Sequence, residues 1–240
     1  MVLIRHLDLM SVNNKELFVL ATFKEILGDA LRGGYAVGSF NAWDIYSARG
    51  IIATADRLQA PVIISLWQQE LELAGEKELY DLTLSFARAA KVPVAIFIDH
   101  AQRIDDIERA IAFGATSVMI DGSHLSLDEN IALTARAARI AHAAGVSIEG
   151  ELGRVGEETG SNPDASWYTN PEEAERYVAE TGIDALAVAI GNAHGVYRQE
   201  PKLALDVVAE IHRRVSVPLV LHGGSGIPDA DLRRGIALGI

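Results

Sequence analysis

Val92-Pro93-Val94-Ala95-Ile96-Phe97-Ile98-Asp99-His100 is the stretch on which the reading of this chain turns. An apolar run ends in a carboxylate and an imidazole. Such a run reads as a strand buried on both faces, as in a parallel sheet covered by helices. Burying an aspartate and a histidine at its end is costly unless both have partners. Either the strand opens there onto a polar site, or the pair is a satisfied structural contact.

Working outward, apolar segments alternate with amphipathic helical ones. Thr22, with Glu25 three residues on, has the form of a capping box. It opens a helix that runs to about Arg32 and stops at Gly33-Gly34. Tyr35 to Phe40 reads as strand one, followed by Asn41 and a helix to about Leu58. Pro61 opens strand two, Val62 to Leu66, and a helix from about Glu76 to Ala90 leads back to Pro93. Asp105 to Phe113 is helical, Gly114 stops it, and Ser117 to Ile120 is strand four. An Ala-rich helix covers Leu127 to Ala144, and Val146 to Leu152 is strand five. Residues 153–170 form a polar loop, long enough to serve as a lid or binding loop. Asn170 caps a helix with Pro171 at its first position. Ala185 to Ile190 is strand six, Leu203 to Arg214 a helix, Pro218 to Leu221 strand seven, and a last helix runs from Pro228 towards Leu238. Ala-Pro-Val at 60–62, Val-Pro-Val at 92–94 and Val-Pro-Leu at 217–219 each follow a helix and start a strand.

This βα repeat belongs to either a barrel or a doubly wound sheet. No Gly-x-Gly-x-x-Gly follows strand one, which counts against the dinucleotide-binding sheet. The fold expected is an α/β TIM (β/α)8 barrel, one domain over residues 22–240, with an extension over residues 1–21. Gly239-Ile240 stand where an eighth strand is due, so the eighth strand and the C-terminal helices are expected to be absent from this chain.

The length of 240 residues and a hydrophobic content of 49% suit one such domain. There is no cysteine, which excludes disulfides and thiolate metal sites. No apolar run reaches the length of a membrane span and no signal peptide is evident, so a cytoplasmic protein without membrane contact is expected. The net charge of -12 argues against a nucleic-acid surface. An anionic small molecule would need local positive charge, backbone amides or a metal.

In a parallel barrel the C-terminal strand ends share one rim, where active sites sit. Polar residues collect at those ends: Asp99-His100, Asp121, Glu149 and Glu151, Asn192 and His194, and His222 with Gly223-Gly224-Ser225-Gly226. A lone histidine at a strand end is ordinarily structural. Three of the seven histidines fall there, His100, His194 and His222, and three imidazoles with an open position make a catalytic zinc site. Glu149 and Glu151 are read as pointing to different sides of strand five, only one of them into the barrel. The glycine-rich turn after strand seven is either a tight turn or an anion cradle, and its position favours the cradle. Lys15, Lys24, Lys77, Lys91 and Lys202 all avoid the strand ends, so a Schiff-base mechanism lacks its nucleophile and carbonyl chemistry would need a metal.

At these residues the sequence resembles the class II, zinc-dependent fructose/tagatose-bisphosphate aldolase family, over roughly residues 22–240. The motifs that carry it are Gly34-Tyr35-Ala36-Val37 with Phe40-Asn41, Ile98-Asp99-His100, Met119-Ile120-Asp121-Gly122-Ser123, Glu149-Gly150-Glu151-Leu152-Gly153, Ala187 to Gly195, and Leu219 to Gly226. The resemblance implies a lyase of carbohydrate metabolism that cleaves a ketose (bis)phosphate to dihydroxyacetone phosphate and an aldehyde. It implies that His100, His194 and His222 hold Zn2+, and that Asp99 exchanges the proton of the C4 hydroxyl. Asp121 and Glu151 match positions for a second divalent metal or an alternative zinc position. Asn41, Gly195, Gly223, Gly224 and Ser225 match substrate contacts, and Glu157 or Glu158 matches the loop carboxylate for the C1 proton. A monovalent cation (Na+ or K+) near the phosphate and a homodimer or homotetramer complete what the family implies.

Three departures stand out. Ala101 follows the metal histidine where many members carry a second histidine. Trp67-Gln68-Gln69-Glu70 stands where many have smaller residues. The strand-eight phosphate motif is not found. The competing readings are an inactive aldolase-like protein, a barrel lyase acting on another sugar phosphate, and a barrel metal-dependent hydrolase. The hydrolase would favour His-x-His after strand one, where this chain has Phe40-Asn41-Ala42.

Overall fold

Each apolar segment pairs with the next one in sequence. The computed structural model describes residues 19–68, 71, 75–156 and 165–240. Its strands are β1 (Gly38–Asn41), β2 (Val62–Trp67), β3 (Val94–Ala101), β4 (Ser117–Ile120), β5 (Ser147–Leu152), β6 (Ala185–Val188) and β7 (Leu219–Val220). Every neighbouring pair is parallel, and the order is simply β1-β2-β3-β4-β5-β6-β7. A doubly wound sheet would reverse direction at a switch point; sequential order is the topology of the βα barrel. The helices are α1 (Phe23–Gly33), α2 (Ile45–Leu58), α3 (Glu76–Arg88), α4 (Ile104–Phe113), α5 (Leu127–Ala143), α6 (Pro171–Thr181), α7 (Leu205–Arg214) and α8 (Asp229–Leu238). Among the described residues no helix is long and apolar enough to cross a membrane.

Strand alternation splits the core in two. Ile64, Ile96, Ile98, Val118, Ile120, Ile148 and Leu186 face outward onto the helices. Ile63, Ala95, Phe97, Met119, Ala185 and Ala187 face inward and cluster with Ala21, Phe23, Ile26 and Leu27. Inward residues of β2 to β6 can meet only because the sheet curls.

Helix α1 reaches into this inner cluster. The Phe23 ring lies 4.6 Å from that of Phe97. The first amides of a helix lack intrahelical acceptors; here Phe23 N–H donates to Ser117 Oγ at 2.9 Å and Lys24 N–H to Ser147 Oγ at 3.1 Å. Those serines begin β4 and β5, so α1 plugs the N-terminal mouth and leaves the opposite rim for chemistry. The Thr22–Glu25 capping box forms as expected. Thr22→Ala should therefore lower unfolding stability by about 1 kcal/mol, read as a lower urea midpoint at unchanged slope.

Several boundaries differ from the sequence reading. β1 begins at Gly38, because Tyr35 N–H is still bound to Ala30 O in the turn leaving α1. β6 ends at Val188, because Ala189 N–H donates to the Thr169 hydroxyl at 2.8 Å while Ala189 O accepts from Thr169 N–H at 2.8 Å. β3 runs one residue past His100, with Ala101 O accepting from Asp121 N–H at 2.8 Å. The polar loop contains a short 3-10 turn over Ala165–Trp167.

Candidate metal centre

In a regular strand, neighbours Asp99 and His100 would face opposite sides of the sheet. The β3–β4 register shifts between Ile98 and Ala101, and His100 sits at φ 54°, in the left-handed region. A non-glycine residue held there costs about 1–3 kcal/mol. Irregularities of this kind re-aim side chains beside functional sites. Both side chains consequently reach the mouth. Asp99 Oδ2 accepts from the Ser65 hydroxyl at 2.8 Å, and His100 Nδ1 lies 3.0 Å from Asp121 Oδ2.

His194 comes from the turn after β6, and its Nε2 is 3.2 Å from His100 Nε2. His222 follows β7, with its Nε2 2.7 Å from Glu149 Oε1. The three rings stand 4.6, 4.7 and 5.8 Å apart between centroids. Both turns are clamped from behind. Asn192, fully buried, accepts Ile190 N–H at 2.8 Å and donates to His222 O at 3.0 Å. Tyr197 OH accepts Ala193 N–H at 2.8 Å and donates to Gly223 O at 3.0 Å. Gly223 has φ +64°, and a Cβ there would stand 2.1 Å from Ala193 O, so only glycine lets the two turns touch.

The expectation for Glu149 and Glu151 is overturned. Residues two apart on a strand share a face, and both carboxylates point inward: Glu149 to His222, and Glu151 Oε2 to within 3.9 Å of His100 Nδ1. Asp121 joins the same cluster through His100.

The donor set fits a divalent ion. Nitrogens bound at about 2.0–2.1 Å to a tetrahedral zinc lie about 3.3 Å apart, close to the 3.2 Å between His100 and His194. One ligand atom from each of His100, His194 and His222 falls within 4.8 Å of the others, and the same holds for His100, Asp121 and Glu151. Two buried carboxylate oxygens, Asp99 Oδ1 and Glu151 Oε2, have no hydrogen-bond partner. Buried polar atoms normally have one. Asp99 Oδ1 lies 3.7 Å from His100 Nε2 and 3.8 Å from His222 Nδ1, at the focus of the cluster.

Electrostatics separate the three imidazoles. Burial opposes a charge on His222, yet the Glu149 hydrogen bond and the Asp99 charge win and push it up to about 10. Burial also opposes His100, but Asp121 and Asp99 raise it. His194 is lowered to about 4 by burial and then by its two cationic neighbours. Asp121 is held well below the usual carboxylate range: burial works against its charge, and the His100 hydrogen bond overcomes it. Glu151 is raised to about 7 by burial and the Asp121 charge.

These shifts set a sign for the metal-free protein. A histidine raised in the folded state contributes stability that is complete below its ordinary value of 6.5 and lost as pH climbs through about 10. Glu151, raised as a neutral acid, loses its contribution as pH passes about 7. In chelator, the melting temperature should therefore fall from pH 7 to pH 9. With saturating zinc, which binds the neutral imidazole, the fall should flatten. A chelated protein whose melting temperature rises over that window would contradict the assignment.

The remaining described site candidates stand at or just beyond C-terminal strand ends. Asn41 is exposed at the end of β1, level with Ser65. Gly195 follows His194, and Gly223, Gly224 and Ser225 form the turn after His222, with Ser225 exposed. Among the described residues neither Asn41 nor Ser225 is hydrogen-bonded to the histidines. Glu157 and Glu158 lie outside the described residues; the chain just before them is placed, with Gly156 N–H donating to Asn192 O and Gly156 O accepting from His194 N–H. Lys24, Lys77, Lys91 and Lys202 are all exposed, and none joins the histidines.

Ser65 and Tyr197 were not among the sequence candidates, and Asn192 was named only as a polar strand-end residue with no role given to it. Ser65 had a signal, a polar residue two places after inward Ile63 in an apolar strand. Asn192 and Tyr197 act on backbone groups, which no motif spacing reveals.

The profile of the family described as "Fructose-bisphosphate aldolase class-II" matches residues 21–240. The chain is 40% identical over 227 residues to the D-tagatose-1,6-bisphosphate aldolase subunit GatY of Klebsiella oxytoca, covering 93% of this chain and 80% of that protein. It superposes on the YdjI aldolase of Escherichia coli K12 with a TM-score of 0.84 at 39% identity, covering 92% of this chain and 79% of that one. A putative fructose-1,6-biphosphate aldolase from Coccidioides immitis gives a TM-score of 0.82 at 32% identity, covering 90% and 78%.

Proposed function

The chain belongs to the class-II fructose-bisphosphate aldolase family, a family of metal-dependent lyases, and we propose that it reversibly cleaves a ketose (bis)phosphate to dihydroxyacetone phosphate and an aldehyde, with His100, His194 and His222 holding Zn2+. Zinc bound there supplies a Lewis acid that polarises the substrate ketone and stabilises the negative charge that develops as the C3–C4 bond breaks.

The chain's own residues do the rest. Asp99 takes the C4-hydroxyl proton in cleavage and returns it in condensation. Ser65 holds Asp99 Oδ2, which orients the carboxylate and leaves Oδ1 free for that proton. The backbone amides of Gly195, Gly223 and Gly224, with Ser225 and Asn41, bind the dihydroxyacetone-phosphate half, as glycine turns suit anions. Glu157 or Glu158 exchanges the C1 proton. Asp121 and Glu151 offer a second divalent-metal or alternative zinc position, and a monovalent cation accompanies the phosphate. Residues 22–240 act as one barrel domain, in a cytoplasmic homodimer or homotetramer.

The observation that carries this reading is the meeting of imidazoles from the ends of β3, β6 and β7 beside the unpartnered Oδ1 of Asp99. The test is zinc content together with retro-aldol turnover of fructose and tagatose bisphosphates, with and without chelator. Chelator-sensitive release of a triose phosphate is expected. Zinc bound without turnover of any ketose phosphate would favour the inactive aldolase-like protein.

A further inference from the structure

We infer that Glu149 is a positioning residue of the metal centre, one that holds His222 by Nε2 and thereby commits its Nδ1 to the ion. The inference rests on the reading of His222 as a ligand. Glu149 is 1% exposed on β5, in register with Met119 of β4 and Ala185 of β6, so it stands on a strand paired on both sides. His222 instead sits in the turn beyond the two-residue β7. A rigid strand therefore carries the carboxylate, and a turn carries the imidazole that it holds.

The 2.7 Å contact selects the tautomer that the neutral imidazole adopts when it gives up its second proton to bind a metal. An ionised carboxylate only accepts, so Nε2 carries the proton. In the neutral imidazole that a metal binds, Nδ1 then has the lone pair, and Nδ1 is the nitrogen that faces the cluster, 3.8 Å from Asp99 Oδ1. His100 shows the mirror arrangement: Asp121 holds its Nδ1 and its Nε2 faces His194. A carboxylate on the far nitrogen orients a ligating imidazole and strengthens it as a donor.

The test compares Glu149→Ala and Glu149→Gln in the full chain. Zinc affinity is measured by competition with a chromophoric chelator, and ligand geometry by the visible spectrum of the cobalt-substituted protein. Glu149→Ala should bind zinc about 10–100-fold more weakly and shift the cobalt bands. Glu149→Gln, whose amide oxygen still accepts from Nε2–H, should weaken zinc binding by less. A packing role alone would lower the melting temperature and leave affinity and spectrum as in the parent chain; that result, in Glu149→Gln alone if the alanine variant does not fold, overturns the inference. His222→Ala is measured alongside. If it loses zinc while the Glu149 variants keep parental affinity, only this inference is lost. If it keeps zinc, the metal reading beneath it is lost as well.

Discussion

Asp99→Ala is expected to keep its zinc and to cleave ketose bisphosphate about 10²–10⁴-fold more slowly, the usual worth of a positioned acid–base group. Asp99 is not needed to hold the ion. The cluster that can hold an ion has three imidazoles without it. Its Oδ2 is committed to the Ser65 hydroxyl and its Oδ1 has no partner, although both histidines beside it stand 3.7–3.8 Å away. A buried carboxylate oxygen left open at the focus of a site is a base waiting for a substrate hydroxyl. Removing it should leave KM for the ketose phosphate little changed and lower kcat. Zinc content per chain and steady-state kinetics on the same preparation decide the matter. An alanine variant that turns over at near-parental rate removes Asp99 from the proton transfer. Ser65→Ala should give a smaller loss in kcat, since it loosens the carboxylate without removing it.

The barrel was legible in the chain because its strands carry continuous apolar runs and its helices carry caps. Val94 to Ile98, the Thr22–Glu25 box and Asn170-Pro171 are local signals, and each formed where it was read. The histidine triad was legible for a different reason. Parallel strands put every C-terminal end on one rim, so a list of polar strand ends is already a list of neighbours. What was not legible depends on backbone detail. Nothing in Ile98-Asp99-His100 announces that His100 turns to φ 54°, yet that turn is what brings adjacent side chains to one mouth. The error over Glu149 and Glu151 has a plain cause, a spacing of two taken as opposite faces. Corrected, it yields the carboxylate partner of His222. The extent of strand seven was misjudged because Pro218 and Leu221 look like strand residues, while only Leu219 and Val220 stand in register with β6 and Pro218 contributes just its carbonyl, to Leu186 N–H at 3.0 Å.

His222→Ala should lose both metal and cleavage, whereas the variant of Asp99, 3.8 Å away, loses cleavage and keeps its metal. Zinc content should fall well below one ion per chain at concentrations that saturate the parent protein, and turnover should drop to the level of the chelated enzyme. Two imidazoles cannot replace three at a site whose fourth position is reserved for substrate. Glu149 makes the loss worse. It is 1% exposed, and the partner it loses is the one 2.7 Å away. Removing one member of a buried charged pair costs about 3–5 kcal/mol, so the metal-free variant should also melt below the metal-free parent. The double variant Glu149→Leu with His222→Ala should recover part of that melting temperature, because no buried carboxylate is left alone, and should recover no zinc. That split separates a structural defect from a missing ligand. A His222→Ala protein carrying a full complement of zinc would show that the ion is gripped elsewhere, with His100, Asp121 and Glu151 as the next set of donors to remove.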